Sequence, residues 1–194
     1  MARVKLRSRR EVVGRARSLT TSLHDALERL PEDEGDPDVS EAIWAGEGLG
    51  TLLWALQRAQ LPPYDRPFRH EALLAASLDG AALRPAAEID QAREVARLWH
   101  WRARTAALQR RADVDLPSQW LSFDQLVGAT AMRAHERGLL PSPVRGDFPA
   151  FGTGYRALTA GQRAEAHQIA WQRHRALNWL CGLGRGWDAV PTDT

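Results

Sequence analysis

His167, Trp171, His174 and Asn178 follow one another at spacings of four, three and four residues. On an α-helix that spacing gathers two imidazoles, an indole and an amide on one stripe. Such a stripe offers proton transfer or metal binding. Shared ligation fits poorly, because two helical turns hold His167 and His174 about 10.5 Å apart along the axis, whereas ligands from one helix sit at i,i+3 or i,i+4. Proton transfer requires a partner from elsewhere in the fold. The competing reading is a helix interface whose polar groups satisfy one another. Arg173 interrupts the neighbouring apolar face of Ala166, Ile169, Ala170, Leu177 and Leu180. Burial there demands a carboxylate partner, since an unpaired buried charge is strongly destabilising. Glu47, on one stripe with Ile43, Gly50 and Trp54, is the matching candidate.

The run Gly46-Glu47-Gly48-Leu49-Gly50 looks like a phosphate loop, but no Gly-Lys-Ser/Thr follows it and no strand precedes it. It reads instead as helix with side chains removed so that another helix can approach, at about 1 kcal/mol per glycine relative to alanine. Trp99 and Trp101 flank His100 on a helix and point about 200° apart, so they form no common stacking platform. Cys181, the single cysteine, reads as a small buried hydrophobe, and it excludes both an internal disulfide and a zinc site built on several thiolates. Neither a Gly-x-Ser-x-Gly elbow nor a His-Glu-x-x-His pair is present.

These residues sit on elements legible from apolar spacing. Val12, Ala16, Leu19, Leu23, Leu27 and Leu30 predict a helix over 9–30, ended by Pro31. Glu32 to Asp38 reads as an acidic solvated turn, with Asp38 or Ser40 capping a second helix that must stop by Pro62 and Pro63. A short helix is expected around 69–78. The clearest helix opens at Pro85 or Ala86 and runs to Arg111, with Ile89, Ala92, Ala96, Trp99, Ala103 and Ala106 on one face. Ser122 with Gln125 and Thr159 with Gln162 form capping boxes that open helices to about Arg137 and Cys181. Residues 141–156 hold three prolines and three glycines and are expected to form one long irregular loop.

The 194 residues are 44% hydrophobic and 26% charged, enough apolar content for one core and too polar for a membrane-embedded chain. Lys5 is the one lysine. The net charge of +2 is uneven: seven cations from Arg3 to Arg17 against Glu11 put +6 on the first 17 residues and leave −4 on the rest. No secretory apolar core follows that basic start, and no stretch nears the roughly 20 apolar residues of a transmembrane helix. A cytoplasmic protein without membrane partner is expected. The arginines permit nucleic-acid binding through phosphate neutralisation, but no interleaved aromatics or known nucleic-acid-reading motif accompany them.

The segment His174-Arg175-Ala176-Leu177-Asn178-Trp179-Leu180-Cys181-Gly182, followed by Trp187-Asp188-Ala189-Val190-Pro191-Thr192-Asp193-Thr194, resembles the signature of the bacterial domain-of-unknown-function family numbered 4272. Glu47 to Asp65 resembles that family's helix and proline stop, and Ala82 to Trp99 its central helix. The resemblance covers about half of the chain. It implies a mostly helical, cytoplasmic bacterial protein and carries over no catalytic residue. Within the motif, Trp187 and Asp188 are expected to fold back on the helical body, Asp188 accepting from Arg175 or Asn178.

The sequence thus predicts an all-α fold, one compact domain of five or six helices with a frayed basic segment at 1–8, the loop at 141–156 and a tail at 183–194 packed on the body. The expected function is a non-enzymatic binding or regulatory module for a protein or small-molecule partner, with no cofactor and no metal. Its polar cluster comprises Glu47, His167, Arg173, His174, Asn178, Trp187 and Asp188, where the Glu47 helix, the histidine stripe and the 141–156 loop converge. Two alternatives accompany it. One is a small enzyme with His174 or His167 as base, Glu47 as its orienter and Arg173 holding an anionic substrate; the other is a nucleic-acid binder through residues 3–17.

Overall fold

The computed structural model describes residues 5–30, 35–111 and 122–193. Arg3, the expected acidic turn at Glu32, Asp33 and Glu34, and Thr194 lie outside the described residues. The fold is all-α, with six helices among the described residues: α1 (Arg9–Arg29), α2 (Pro37–Ala55), α3 (His70–Leu74), α4 (Ala86–Leu108), α5 (Phe123–Glu136) and α6 (Ala160–Leu180). α6 is the central rod, packed between α2 on one side and α4 on the other, with α1 covering the far side of α2. One apolar cluster joins all six, from Val12 and Leu23 through Leu49, Leu73, Ile89 and Ala131 to Ile169 and Leu177.

The helix starts follow capping chemistry. Ser8 and Glu11 close a full capping box on α1, and Thr159 and Gln162 close the expected one on α6, each satisfying N–H groups that have no partner within the first turn. Ser122 accepts from the Gln125 amide at the head of α5. α2 starts earlier than its spacing predicts: Asp36 is the cap, with Pro37 in the first turn, where a missing N–H removes nothing. α2 also ends well before Pro62, because Gln57 adopts φ 61° and turns the chain out of the helix.

Two expectations need correction. Residues 5–8 are not frayed but tie down the end of α6, where orphan carbonyls need donors. The Arg7 amide donates to the Leu180 carbonyl at 2.9 Å, its Nε to the Trp179 carbonyl at 2.9 Å, and its guanidinium lies over the Trp179 ring. The segment 141–156, expected to be irregular, carries two successive tight turns. Val144 and Asp147 exchange backbone hydrogen bonds around Arg145 and Gly146, and β1 (Pro149–Ala150) pairs antiparallel with β2 (Thr153–Gly154) around Phe151 and Gly152. Both central residues of each turn have positive φ, the backbone of a two-residue hairpin that follows the natural strand twist.

Candidate functional site

The glycine run of α2 does admit neighbours: Gly46 faces Leu23 of α1 and His70 of α3, and the next two glycines face aromatic rings from outside the helices. A methyl group at Gly50 would fall 2.4 Å from the Phe68 ring, and one at Gly48 would fall 3.1 Å from the Trp187 ring. Phe68 is held there by Glu47, whose Oε1 accepts from the Phe68 amide at 2.7 Å. Its Oε2 accepts from Arg173 Nε at 2.8 Å. Arg173 completes its fork on the segment after α2, donating to the carbonyls of Pro62, Pro63 and Arg66, and its guanidinium lies over Tyr64 and Phe68. Glu47 is 3% exposed and Arg173 0%. Burial pushes the Glu47 carboxyl above its ordinary range, against the pull of Arg173 and the Phe68 amide. The pair anticipated from sequence therefore forms, as a clasp that fixes residues 62–68 to α2 and α6. It has no free oxygen with which to orient a histidine and no free guanidinium nitrogen for a substrate.

His174, the next residue on α6, faces α4 instead. Its Nδ1 lies 3.1 Å from Nδ1 of His100, and its Nε2 lies 3.0 Å from Asn178 Nδ2, which also donates to the Pro191 carbonyl at 2.8 Å. The Pro191 carbonyl can only accept, so the Asn178 amide nitrogen is the donor and His174 Nε2 an acceptor. His174 then carries its proton on Nδ1 and donates to His100 Nδ1. Burial lowers both imidazoles, to about 4 for His174 and about 3 for His100, the latter also repelled by His174. Both are neutral near pH 7. The His167 ring stacks on His100 with centroids 5.9 Å apart, and its outer side is exposed.

The tail closes the other end of this column. Trp187 is buried between Gly48 and Trp179, with Arg15 and Arg175 over its ring. Asp188 accepts from Arg175 at 3.0 Å, and Trp171 Nε1 donates to Thr192 at 3.3 Å. Cys181 is buried and its thiol is raised to about 11, which leaves it an unreactive hydrophobe.

The expected convergence of the Glu47 helix, the histidine stripe and the 141–156 loop does not occur. Arg173 and His174 project about 100° apart from α6, one to α2 and one to α4. The loop is held by a residue the sequence did not single out. Arg102 of α4, 0% exposed, places Nε and one terminal nitrogen on the two Asp147 oxygens, each at 2.7 Å. Asp147 also accepts from the amides of Phe148 and Arg156. This bidentate pair is the strong form of a carboxylate–guanidinium contact.

Above that pair a cleft opens between α4 and the first half of α6. It has two adjoining cavities, about 310 and 400 Å³, which share Ala106, Arg110, Tyr155 and Arg163. The smaller adds Gln109, Asp124 and Arg156; the larger is lined by alanines, with Arg104 and His167. Arg156 is paired with Asp124. Arg104 and Arg110 are exposed and have no ion-pair partner among the described residues, and Arg163 donates to the Leu158 carbonyl. The one group of His, Asp and Glu side chains close enough to share an ion, among the described residues, is His24, Asp25 and Glu28, all exposed on α1.

Of the seven residues named from sequence, His167 alone reaches this cleft. Arg104, Arg110, Arg163 and Tyr155 escaped notice. Their signal was the small-residue rows beside them, Ala103, Ala106 and Ala107 on α4 and Ala160 and Ala164 on α6, which leave space where larger side chains would close the groove. No helix among the described residues is long and apolar enough to cross a membrane. Comparison with protein-family models, with curated proteins and with solved structures finds no match to this chain.

Proposed function

We propose that this chain is a non-enzymatic, ligand-binding or regulatory helical module of the bacterial cytoplasm, whose working surface is the cleft between α4 and α6. The carrying observation is a contrast within one cavity wall: Arg104 and Arg110 project into the cleft without an ion-pair partner among the described residues, while Arg102 beneath them is fully neutralised by Asp147. A concave site with cations and an apolar floor is what a small anionic ligand needs. Of the groups that a small enzyme would use, Glu47, Arg173 and His174 are engaged with one another, with neighbouring side chains or with backbone, and His167, the other candidate base, reaches the cleft with neither Glu47 nor Arg173 beside it. Membership of the 4272 family is part of the proposal. Its support is that the motif residues act as one unit, Asn178 and Arg175 holding the Trp187–Thr192 tail.

The test is calorimetric titration with inorganic pyrophosphate at low salt. Saturable binding that weakens with salt and drops at least about tenfold in an Arg104→Ala, Arg110→Ala double variant supports the reading. Absence of binding, or binding unchanged in the double variant, refutes it. The nucleic-acid alternative retains an open groove on α1 beside Arg9, Arg10 and Arg17, but Arg7 and Arg15 are drawn inward onto Trp179 and Trp187. Oligonucleotide binding abolished by replacing Arg9, Arg10 and Arg17 with alanine would move the function to that face.

A further inference from the structure

We infer that the ligand of the cleft is a phosphate ester carried on a flat ring, the chemistry of a nucleoside mono- or diphosphate. The inference rests on the cleft being the ligand site and names what fills it. Three features specify the class.

The first is charge. Arg102 and Arg156 are neutralised by Asp147 and Asp124, which leaves Arg104, Arg110 and Arg163 as the cleft's uncompensated cations among the described residues. A terminal phosphate carries about −1.5 to −2 charge near neutral pH, so one or two phosphates match three guanidiniums where a single carboxylate does not. The second is placement. Arg110 comes from the turn that follows α4 and Arg163 from α6, and both line the waist shared by the two cavities, beside Tyr155. Guanidiniums on opposite walls can each present two N–H groups to one phosphate. Tyr155 remains a protonated donor there, its hydroxyl raised to about 12 by burial.

The third is shape. On the α6 side of the waist the cavity of about 400 Å³ is lined by five alanines and flanked by Arg104 and His167. Alanine walls offer apolar surface without rotamers to order, which suits a rigid planar group. Arg104 and His167 both have flat faces that stack on rings. His167 is already stacked on His100 at an interplanar angle of 11°, so its plane is set before a ligand arrives. The ring therefore lies over the alanines towards His167, and the phosphates lie at the waist, short of Asp124.

The experiment titrates the full chain with pyrophosphate, adenosine, ADP and GDP under one buffer and salt condition, in the wild type and in an Ala164→Leu variant. Ala164 is exposed on the alanine side and contributes no charge, so leucine fills the ring's place and leaves the arginines intact. Stacking of one ring is worth about a tenfold gain or more. The expected result is that ADP or GDP binds at least about tenfold more tightly than pyrophosphate, that adenosine alone is weak, and that Ala164→Leu lowers the better diphosphate to the pyrophosphate level while leaving pyrophosphate unchanged. If neither nucleotide exceeds pyrophosphate in the wild type, the ring is wrong and the anion cleft stands. If the nucleotides win but Ala164→Leu leaves them unaffected, with helicity unchanged by circular dichroism, the ring's placement is overturned. If nothing binds, the cleft itself is not the ligand site.

Discussion

Arg102 and Arg104 lie two residues apart on α4 and live in opposite worlds. Arg102 is 0% exposed, forked onto Asp147 and layered over Tyr155; Arg104 is exposed at the rim of the cleft without an ion-pair partner among the described residues. A step of two residues turns a side chain about 200° around the helix, so one guanidinium goes in and the other out. Arg173 on α6 repeats the inward pattern with Glu47 and three backbone carbonyls. The difference teaches where function can reside. A buried arginine survives only when its donors are met, so it fixes structure and has nothing left to offer; an exposed one on a concave wall is available.

The sharpest way to break this contrast is to take the carboxylate from a buried arginine. Glu47→Ala leaves Arg173 charged and short of its anion and strips the acceptor from the Phe68 amide. It should destabilise the fold by about 3–5 kcal/mol in urea denaturation. Replacing Glu47 and Arg173 together by methionine should cost clearly less than that single change, because no charge is then stranded. A single variant within about 1 kcal/mol of wild type would mean that the inner arginines are no more committed than the outer ones.

The next effect is steric. Gly50→Ala gains about 1 kcal/mol in helix propensity, yet its methyl would meet the Phe68 ring at 2.4 Å, and Phe68 cannot retreat freely while its amide is bound to Glu47. Overpacking of this kind costs about 1–3 kcal/mol, so the net change should be destabilising. A thermal melt that rises instead would show the clasp to be loose.

How much of this was legible in the sequence differs between the two regions. The Glu47–Arg173 pair could be guessed because each interrupts an apolar stripe, and a buried charge implies its opposite. The helices were legible from spacing and caps, within a few residues at most ends. The Arg102–Asp147 pair was not legible, since Asp147 sits in a segment read as irregular, where no apolar stripe marks a carboxylate as buried. Its turns were signalled by Arg145-Gly146 and Phe151-Gly152, but each has Arg or Phe where Asn or Asp is the usual partner of glycine. His100 was passed over because nothing local marks it; what gives it a role is α4 lying against α6. The cleft was hidden for a further reason: alanines count as apolar core in a spacing argument, and a row of them equally marks the place where a core is missing.

The histidine column supplies a gentler test, through pH. His100 and His174 have folded values lowered to about 3 and about 4 from 6.5, and His167 is lowered as well. Between those values and 6.5 the unfolded chain binds protons that the folded chain refuses, so stability falls as pH drops through this window. The slope is at most about 1.4 kcal/mol per pH unit for each histidine. Arg93 and Arg97 face His174 and Arg104 faces His100, all adding to the refusal. Glu47 acts with the opposite sign, because its raised value favours the folded state until pH climbs past it. His174→Gln should therefore flatten the loss between pH 6.5 and 4.5. An unchanged slope would mean that the column is hydrated and not the closed chain from His100 to Pro191.

The smallest expected effect on stability is also the one that separates the two kinds of arginine most cleanly. Arg110→Ala removes an exposed guanidinium that has no ion-pair partner among the described residues, from the turn just past the end of α4, so the folding free energy should stay within about 0.5 kcal/mol of wild type. Arg102→Ala, eight residues earlier and within α4, would strand Asp147 and should cost several times more. A residue that the fold does not need, on the wall of a cavity opposite Arg163, is available to what enters the cavity. If Arg110→Ala destabilises as much as Arg102→Ala does, the outer arginine is structural too, and the cleft is a gap in the packing and not a place of binding.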